Sequence, residues 1–416
     1  MSVFTALGLP LNNEELLNIA KKHTAYESKV FPKHEPYTHT PSPRTRLRIA
    51  YVGNCFRNYP SAHLTQDLYG AHDRSRFEIY VYSYGENDGS LYRKKIEQSC
   101  DHFLDVRHED SRAICERIYN DKIDILVDLN GYTLDARPEI AASRPAPITV
   151  RMLGSAGTHG ASFYDYIIAD RYIIPQGNET FYTEHLVFMP DTYMVSGRES
   201  ELLKQKSRTE YGLPENGFVF CAFHNNYKIE PCIFQIWMNI LKSVPQSVLW
   251  LMQSGTAREN LLKEAEKQGI ARTRLLFAEH LPKTEHLARS AQADLFLDTR
   301  LYNAHTTASD LLWANVPILT CPGTTFQSRV SGSLLHALGL EDLITPNLET
   351  YEAQAIALAH NPDRLEEIKT KLHKNRLTFP LFDTACFTKH LERSYLHMWE
   401  NFCSGQKSHI FVERLS

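Results

Sequence analysis

Short runs of apolar residues, each ending in small or polar ones and separated by helical stretches, recur along the chain to about residue 325. The first series is LRIAYVG (47–53), FEIYVYSY (77–84), HFLDV (102–106), IDILVDLNG (123–131), ITVRMLG (148–154) and YDYIIAD (164–170). A charged stretch, SGRESELLKQKSRTEYGLPENG (196–217), reads as a linker. The pattern then restarts with FVFCAFH (218–224), SVLWLMQ (247–253), RLLFAEH (274–280), ADLFLDT (293–299) and VPILTCPG (316–323). Near-continuous apolar runs, rather than strict alternation, predict strands covered on both faces, and intervening helices make such sheets parallel. Two series in tandem predict an α/β protein of two Rossmann-like, doubly wound domains. Ligands bind such sheets beyond the carboxyl ends of the strands, so the active site is expected between the domains.

Outside this pattern, NEELLNIAKKHTAYESKV (13–30) reads as one amphipathic helix, followed by the Pro- and His-rich linker FPKHEPYTHTPSPRT. ACFTKHLERSYLHMW (385–399) reads as a strong helix. The expected organisation is an N-terminal helix and linker over 1–45, one Rossmann-like domain over 46–205 and a second over 206–384, with a C-terminal helix over 385–404 and a flexible tail over 405–416. No repeat of fixed period is present, so a helical solenoid is not encoded in these residues.

The chain has 416 residues, 43% of them hydrophobic, and a net charge of −4 without a long basic block, which argues against nucleic acid as a partner. Its eight cysteines form no C-x-x-C pair, so buried thiols in a reducing, cytoplasmic compartment are expected rather than a zinc site or disulfide framework. The first residues lack the basic start and long apolar region of a signal peptide and no run reaches membrane-spanning length, so neither a signal peptide nor a membrane span is expected; the composition is silent on oligomeric state.

Polar residues just past the second series of strands converge on one edge: His224, Asn225, Asn226, Tyr227 and Lys228; Gln253 and Ser254; Glu279, His280, Lys283 and His286; Tyr302, Asn303, His305, Thr306 and Thr307. In NAHTTASDLLW, Thr307 reads as an N-cap with Asp310 three residues on, as in a capping box. That is a well-capped helix and nothing more, or an anion site, since free N–H groups and the helix dipole suit a phosphate. Lys228 is a solvated lysine or the cation that neutralises a leaving diphosphate. No D-x-D pair stands where a metal could bridge a diphosphate, so no metal is expected. His286 and Arg289 share a helix face, as a surface pair or as packing for a nucleobase. In the first series His63 opens a helix after the first strand, as a cap or core residue or as a base. LNGYT (129–133) and LGSAGTHG (153–160) are turns whose glycines allow close backbone approach. With no G-x-x-x-x-G-K-[ST] and no G-x-G-x-x-G after the first strand, ATPase and dinucleotide readings are weak.

Taken together, LRIAYVG, PSAHL, DILVDLNGYT, LGSAGTHG, NNYKIEP, PKTEHLARS, ADLFLDT, NAHTT and DLLWA occur in the order of the O-GlcNAc transferase family, which includes the SPINDLY-like proteins. The chain resembles the catalytic region of that family over roughly residues 45–400. The resemblance implies a GT-B glycosyltransferase fold and an inverting, metal-free transfer of a sugar, GlcNAc from UDP-GlcNAc first, to Ser or Thr hydroxyls of protein or peptide acceptors, with no cofactor beyond the UDP-sugar. By the same resemblance Lys228 contacts the donor diphosphate; His305, Thr306 and Thr307 supply phosphate and sugar contacts; Asp310 and Lys283 contact the ribose; His286 and Arg289 lie around the uracil. His63 matches a base candidate, and Thr133 and Gly154 fall in loops that line the sugar.

Against the family's animal members three departures stand out. One helix and a linker precede the catalytic region in place of a tandem-repeat superhelix, so acceptor selection by that superhelix is expected to be absent or supplied in trans. No inserted domain separates the two halves. Asn225 replaces a glutamine, and Tyr302 replaces a cysteine beside the sugar N-acetyl group. The bulk of Tyr302 would shrink that pocket and opens the alternatives of UDP-glucose, another hexose or GDP-fucose as donor. Asparagine or a small molecule is the alternative acceptor, and a non-catalytic nucleotide-sugar-binding protein is the third reading.

Overall fold

The computed structural model describes residues 2–31, 37–197, 206–253 and 255–415. The chain divides into two compact units, Met1–Gly197 with Pro380–Ser416, and Arg198–Phe379. The expected boundary at 205/206 and residues 198–205 of the expected linker lie outside the described residues, as does Ser254.

In the first unit every predicted run is a strand: β1 (Leu47–Gly53), β2 (Phe77–Ser83), β3 (His102–Asp105), β4 (Ile125–Asp128), β5 (Ile148–Arg151) and β6 (Tyr166–Asp170). HLVFM adds β7 (His185–Met189), which the pattern reading passed over. The second unit holds β8 (Val219–Ala222), β9 (Val248–Met252), β10 (Leu275–Ala278), β11 (Leu295–Leu297) and β12 (Ile318–Leu319). Ile410–Phe411 form β13 and join the first sheet. The strand orders are β13-β7-β6-β5-β4-β1-β2-β3 and β10-β9-β8-β11-β12. Every pairing is parallel. Residues of β4, β5, β6 and β8 are buried without a break, as sheets covered on both faces require.

Four expectations about organisation are corrected. The N-terminal helix, Asn13–Glu27 with a capping box between Asn12 and Glu15, is not a separate segment. Thr24 Oγ1 donates to the His159 carbonyl at 2.9 Å. Gly160, at φ +69°, lets the helix backbone so close that a Cβ there would lie 2.5 Å from Ala20. The C-terminal helix, Thr384–Ser404, belongs to the first unit because its apolar face, Leu391, Tyr395 and Met398 at helical spacing, is buried there. Tyr395 and Tyr51 share a hydroxyl–hydroxyl bond of 3.1 Å, and His72 Nδ1 lies 3.0 Å from Glu392 Oε1. The expected flexible tail is tied down: the Val412 N–H donates to the Phe188 carbonyl at 3.0 Å and the Leu186 N–H donates to His409 Nδ1 at 2.9 Å. Likewise, residues 206–217 do not hang free. Arg208 ion-pairs with Asp294 at 2.8 Å and donates to the Gly217 carbonyl at 3.0 Å, and Leu213 is buried.

Candidate active site

In the second unit the sequence-predicted residues assemble into three adjoining groups past the carboxyl ends of β8, β10 and β11. The segment after β8 closes in a short helical turn, Asn226–Lys228, from which Lys228 reaches the loop after β11. Its Nζ donates to the Asn303 carbonyl at 2.8 Å and lies 3.8 Å from the centre of the Tyr302 ring. Burial pulls the ammonium down from its ordinary value to about 7, opposed by the negative charge of Asp298. Tyr302, buried, also approaches the rings of His305 at 4.9 Å and Tyr227 at 6.1 Å. Asn225 is exposed and its carbonyl accepts the Lys228 N–H at 3.0 Å.

The second group is the start of the helix Thr306–Trp313. His305 is its N-cap, and Thr306 and Thr307 form its first turn, half-buried. The capping box expected from Thr307 and Asp310 does not form: Asp310 is taken by Lys283 in an ion pair, and no side chain caps the helix start. The first-turn N–H groups of a helix have no intrahelical acceptor and carry the positive end of its dipole. Burial lowers the pKa of His305 far below its ordinary value, aided by the charge of Lys228, so the ring is neutral.

Lys283 begins the helix Lys283–Ser290, which also carries the third group. Arg289 Nε donates to His286 Nδ1 at 3.1 Å, and the His286 ring meets Phe223 edge-on at 5.3 Å. Arg289 is 3% exposed and donates to the Glu279 carbonyl and, at 3.6 Å, to Met252 Sδ, so its guanidinium is spent inside the unit. Burial, with Arg289 and Lys283 close by, drives the His286 pKa down to about 3.

Sequence reasoning missed the residue that organises this edge. Asp298, 1% exposed, accepts the N–H groups of Thr299 at 2.9 Å and Ala304 at 2.8 Å and the Thr320 hydroxyl at 2.7 Å. Burial raises its pKa to about 6, opposed by hydrogen bonds from Ser331, Ala304 and Thr320 and by the charge of Lys228. The available signal was a carboxylate ending the apolar run LFLDT.

His63, Thr133 and Gly154 lie in the first unit. His63 is in the helix Pro60–Thr65, its Nε2 2.8 Å from Asn58 Oδ1 and its ring 4.4 Å from that of Tyr92. Thr133 Oγ1 donates to the Asn130 carbonyl at 3.0 Å and accepts from Asn130 Nδ2 at 2.9 Å. Gly154, at φ +64°, abuts the same loop so closely that a Cβ would lie 2.4 Å from the Asn130 carbonyl oxygen. Asn130 and Asn54 bond reciprocally, Asn54 N to Oδ1 at 2.9 Å and Asn130 Nδ2 to Asn54 Oδ1 at 2.6 Å, which joins the carboxyl ends of β1 and β4. Among the described residues no three His, Cys, Asp or Glu side chains come together as a metal-ligand group, all cysteines are free thiols, and no helix is long and apolar enough to cross a membrane.

Comparison with known proteins meets this geometry. The chain is 41% identical over 425 residues to the probable UDP-N-acetylglucosamine–peptide N-acetylglucosaminyltransferase SEC of Arabidopsis thaliana, covering 98% of this chain and 44% of the relative. It is 30% identical to the UDP-N-acetylglucosamine–peptide N-acetylglucosaminyltransferase of Caenorhabditis elegans, over 86% of this chain and 41% of that one. The chain thus spans less than half the length of these relatives. A mutant O-GlcNAc transferase of Thermobaculum terrenum superimposes with a TM-score of 0.87 at 28% identity, covering 96% of this chain and 76% of that one. An Anabaena HepE structure with UDP and glucose shares the fold at a TM-score of 0.56 and 12% identity, over 85% of this chain and 100% of that one. The two parallel-sheet units are those of the GT-B glycosyltransferases, and the glycosyl transferase family 41 profile matches residues 3–206 and 199–391, so the chain belongs to glycosyl transferase family 41.

Proposed function

We propose that the protein transfers a sugar, GlcNAc from UDP-GlcNAc, to Ser or Thr hydroxyls of protein acceptors, with inversion and without a metal. The observation that carries this reading is Lys228. Its ammonium is held by a ring face and a carbonyl, one loop away from a helix start built to take an anion. The relatives in the family act on UDP-N-acetylglucosamine and peptides, which supports the donor and acceptor classes. In the mechanism the acceptor hydroxyl attacks the anomeric carbon from the face opposite the departing UDP. His63, tethered to Asn58, is the candidate base for the hydroxyl proton. Charge building on the diphosphate is met by Lys228 and by the N–H groups at Thr306 and Thr307, in place of a cation from solution. Lys283 and Asp310 hold the ribose side, and His286 with Arg289 shapes the base side. Free thiols throughout support a reducing, cytoplasmic setting.

Tyr302 favours a second donor reading. A tyrosine ring lies beside Lys228, and its bulk next to the sugar would suit UDP-glucose or another hexose without an N-acetyl group. A thermal-shift panel of UDP-GlcNAc, UDP-glucose and GDP-fucose decides, because the true donor raises the melting temperature by mass action. Incubation with a peptide library and UDP-GlcNAc should then release UDP and label peptide, and both signals should vanish in Lys228→Met. Undiminished labelling in that variant would end the mechanism. Binding of UDP-sugar without turnover on any peptide would favour a non-catalytic role.

A further inference from the structure

The loop between β11 and the helix Thr306–Trp313 is braced by its own polar groups and by Gln327 and Ser331 from later in the chain. Asp298 holds the N–H groups of Thr299 and Ala304. Thr299 Oγ1 donates to the Tyr302 carbonyl at 2.7 Å. Asn303 Nδ2 donates to the Thr299 carbonyl, and the Asn303 N–H donates to the Gln327 carbonyl at 2.9 Å. Ser331 Oγ donates to the Ala304 carbonyl at 2.9 Å. This frame presents two things to Lys228: the face of Tyr302 and the carbonyl of Asn303.

We propose that Tyr302 is the positioning residue of Lys228, its ring face and the neighbouring Asn303 carbonyl fixing the ammonium without neutralising it, and that Asp298 holds the loop in the shape that presents both. The inference rests on the reading of Lys228 as the diphosphate's cation and deepens it.

Two lysines of the same edge are held in opposite ways. Lys283 is committed to the carboxylate of Asp310, so its charge is already matched. Lys228 is held by a π-face and a neutral carbonyl, two partners that orient a cation and leave its charge unspent. A lysine ammonium on a four-carbon stem is otherwise a mobile point charge, and holding it in place removes an entropy cost from the step in which the diphosphate departs. The other titratable groups around Lys228 do not compete for it. Burial lowers the pKa values of His224 and His305, so both rings are neutral, and raises those of the Tyr227 and Tyr302 phenols. Asp298 contributes negative charge from behind the loop while its oxygens are occupied by the N–H groups of Thr299 and Ala304 and by the Thr320 hydroxyl.

The test is donor kinetics, read as UDP release from UDP-GlcNAc with acceptor peptides, followed from pH 6 to pH 9 in Lys228→Met, Tyr302→Leu, Tyr302→Phe and Asp298→Asn. Loss of the ring face in Tyr302→Leu is expected to lower kcat about tenfold, within the worth of a desolvated cation–π contact. Donor KM should change less than kcat. The basic limb of kcat/KM should move about one unit toward lower pH, because the charged lysine has lost a partner. Tyr302→Phe keeps the face and should recover most of the lost kcat. Asp298→Asn removes the charge behind the loop and should move the limb in the same direction; if it does not fold, the two Tyr302 variants still decide. Wild-type kcat and pH limb in Tyr302→Leu would overturn the proposal, and so would a Tyr302→Phe as impaired as Tyr302→Leu. A KM rise with a lower melting temperature and an unmoved limb would reduce Tyr302 to packing and overturn it too. Wild-type activity in Lys228→Met would instead sink the underlying reading of the lysine.

Discussion

Lys283 and Asp310, on two packed helices of the second unit, form an ion pair whose side chains are only 9% and 17% exposed. A pair so far from water persists because each charge requires the other. Burial raises the Asp310 pKa while the ammonium of Lys283 pulls it down. Removing one partner alone strands the other.

Asp310→Asn is therefore expected to destabilise the protein by about 3–5 kcal/mol, read as a lower urea midpoint with unchanged slope. The double variant Lys283→Met with Asp310→Leu should recover most of that stability, since well-packed apolar replacements of buried pairs are close to neutral. Donor affinity separates structure from binding. If the pair also holds the ribose, the stable double variant still binds UDP weakly. UDP affinity that returns with stability would assign the pair to structure alone.

The tail offers an independent check on the first unit. Arg171 stacks on Phe188 at 3.7 Å and on Phe411 at 4.9 Å, and β13 covers part of the β7 edge. Deleting residues 409–416 should cost about 1–3 kcal/mol, from lost ladder bonds and aromatic burial, and lower the melting temperature. Hydrogen exchange gives the direct reading: the amides of Val412 and Leu186, both bonded across this edge, should be protected in the full chain. Fast exchange at both would return the tail to the flexible state its polar sequence suggests.

Much of this architecture was legible in the sequence because parallel strands buried on both faces write themselves as apolar runs. Every run from LRIAYVG to VPILTCPG became a strand. β13 was not legible, since a two-residue pairing made by the backbone of Ile410 and Phe411 leaves no periodic trace. The C-terminal helix was legible as a helix but not as part of the first unit, because its partners, Tyr51 and His72, lie more than 300 positions away in sequence. At the candidate site, Lys228, His305 and Thr306 could be read from their place after strands. The capping role given to Thr307 failed because a distant lysine claimed Asp310. Asp298 was hidden because its partners are mainly backbone N–H groups of its own loop, which no residue identity records.

Gly160 tests how firmly the N-terminal helix is joined to the first sheet. Its positive φ already disfavours a side chain, and a Cβ would meet the backbone of Ala20 and Lys21, which cannot swing away as a flexible side chain could. Gly160→Ala should cost more than the ~1 kcal/mol of left-handed strain alone, because the helix must also move off Tyr132 and His159. The two rings stack 3.6 Å apart beneath the helix, and Tyr132 donates to the His159 carbonyl at 2.8 Å. Limited proteolysis within residues 13–27 should accelerate in the variant. An unchanged cleavage rate and melting temperature would show that the helix docks without this close approach.

Lys228 makes the sharpest prediction about pH. Burial has brought its ammonium to about 7, below the ordinary lysine value, so it is charged below that pH and increasingly neutral above it. Because the folded value lies below the unfolded one, the native state holds fewer protons from about pH 7 up to the ordinary lysine range. The cost of burying the charge is thus fully present below pH 7 and relieved as pH rises. Lys228→Met, without that charge, should melt no lower than wild type at pH 7. A bound diphosphate reverses the balance, since negative charge beside the lysine favours its protonated form. UDP binding at pH 8 should therefore take up protons, visible in calorimetry as a binding enthalpy that changes with the ionisation heat of the buffer. The uptake should disappear in Lys228→Met. If the proposed transfer holds, kcat/KM for the donor, which reports the free protein, should fall as pH rises through about 7, whereas kcat, which reports the donor-bound state, should hold to higher pH. Equal binding enthalpies in phosphate and Tris at pH 8 would mean that the lysine does not change its charge when the diphosphate arrives, and would count against Lys228 as the cation of the proposed transfer.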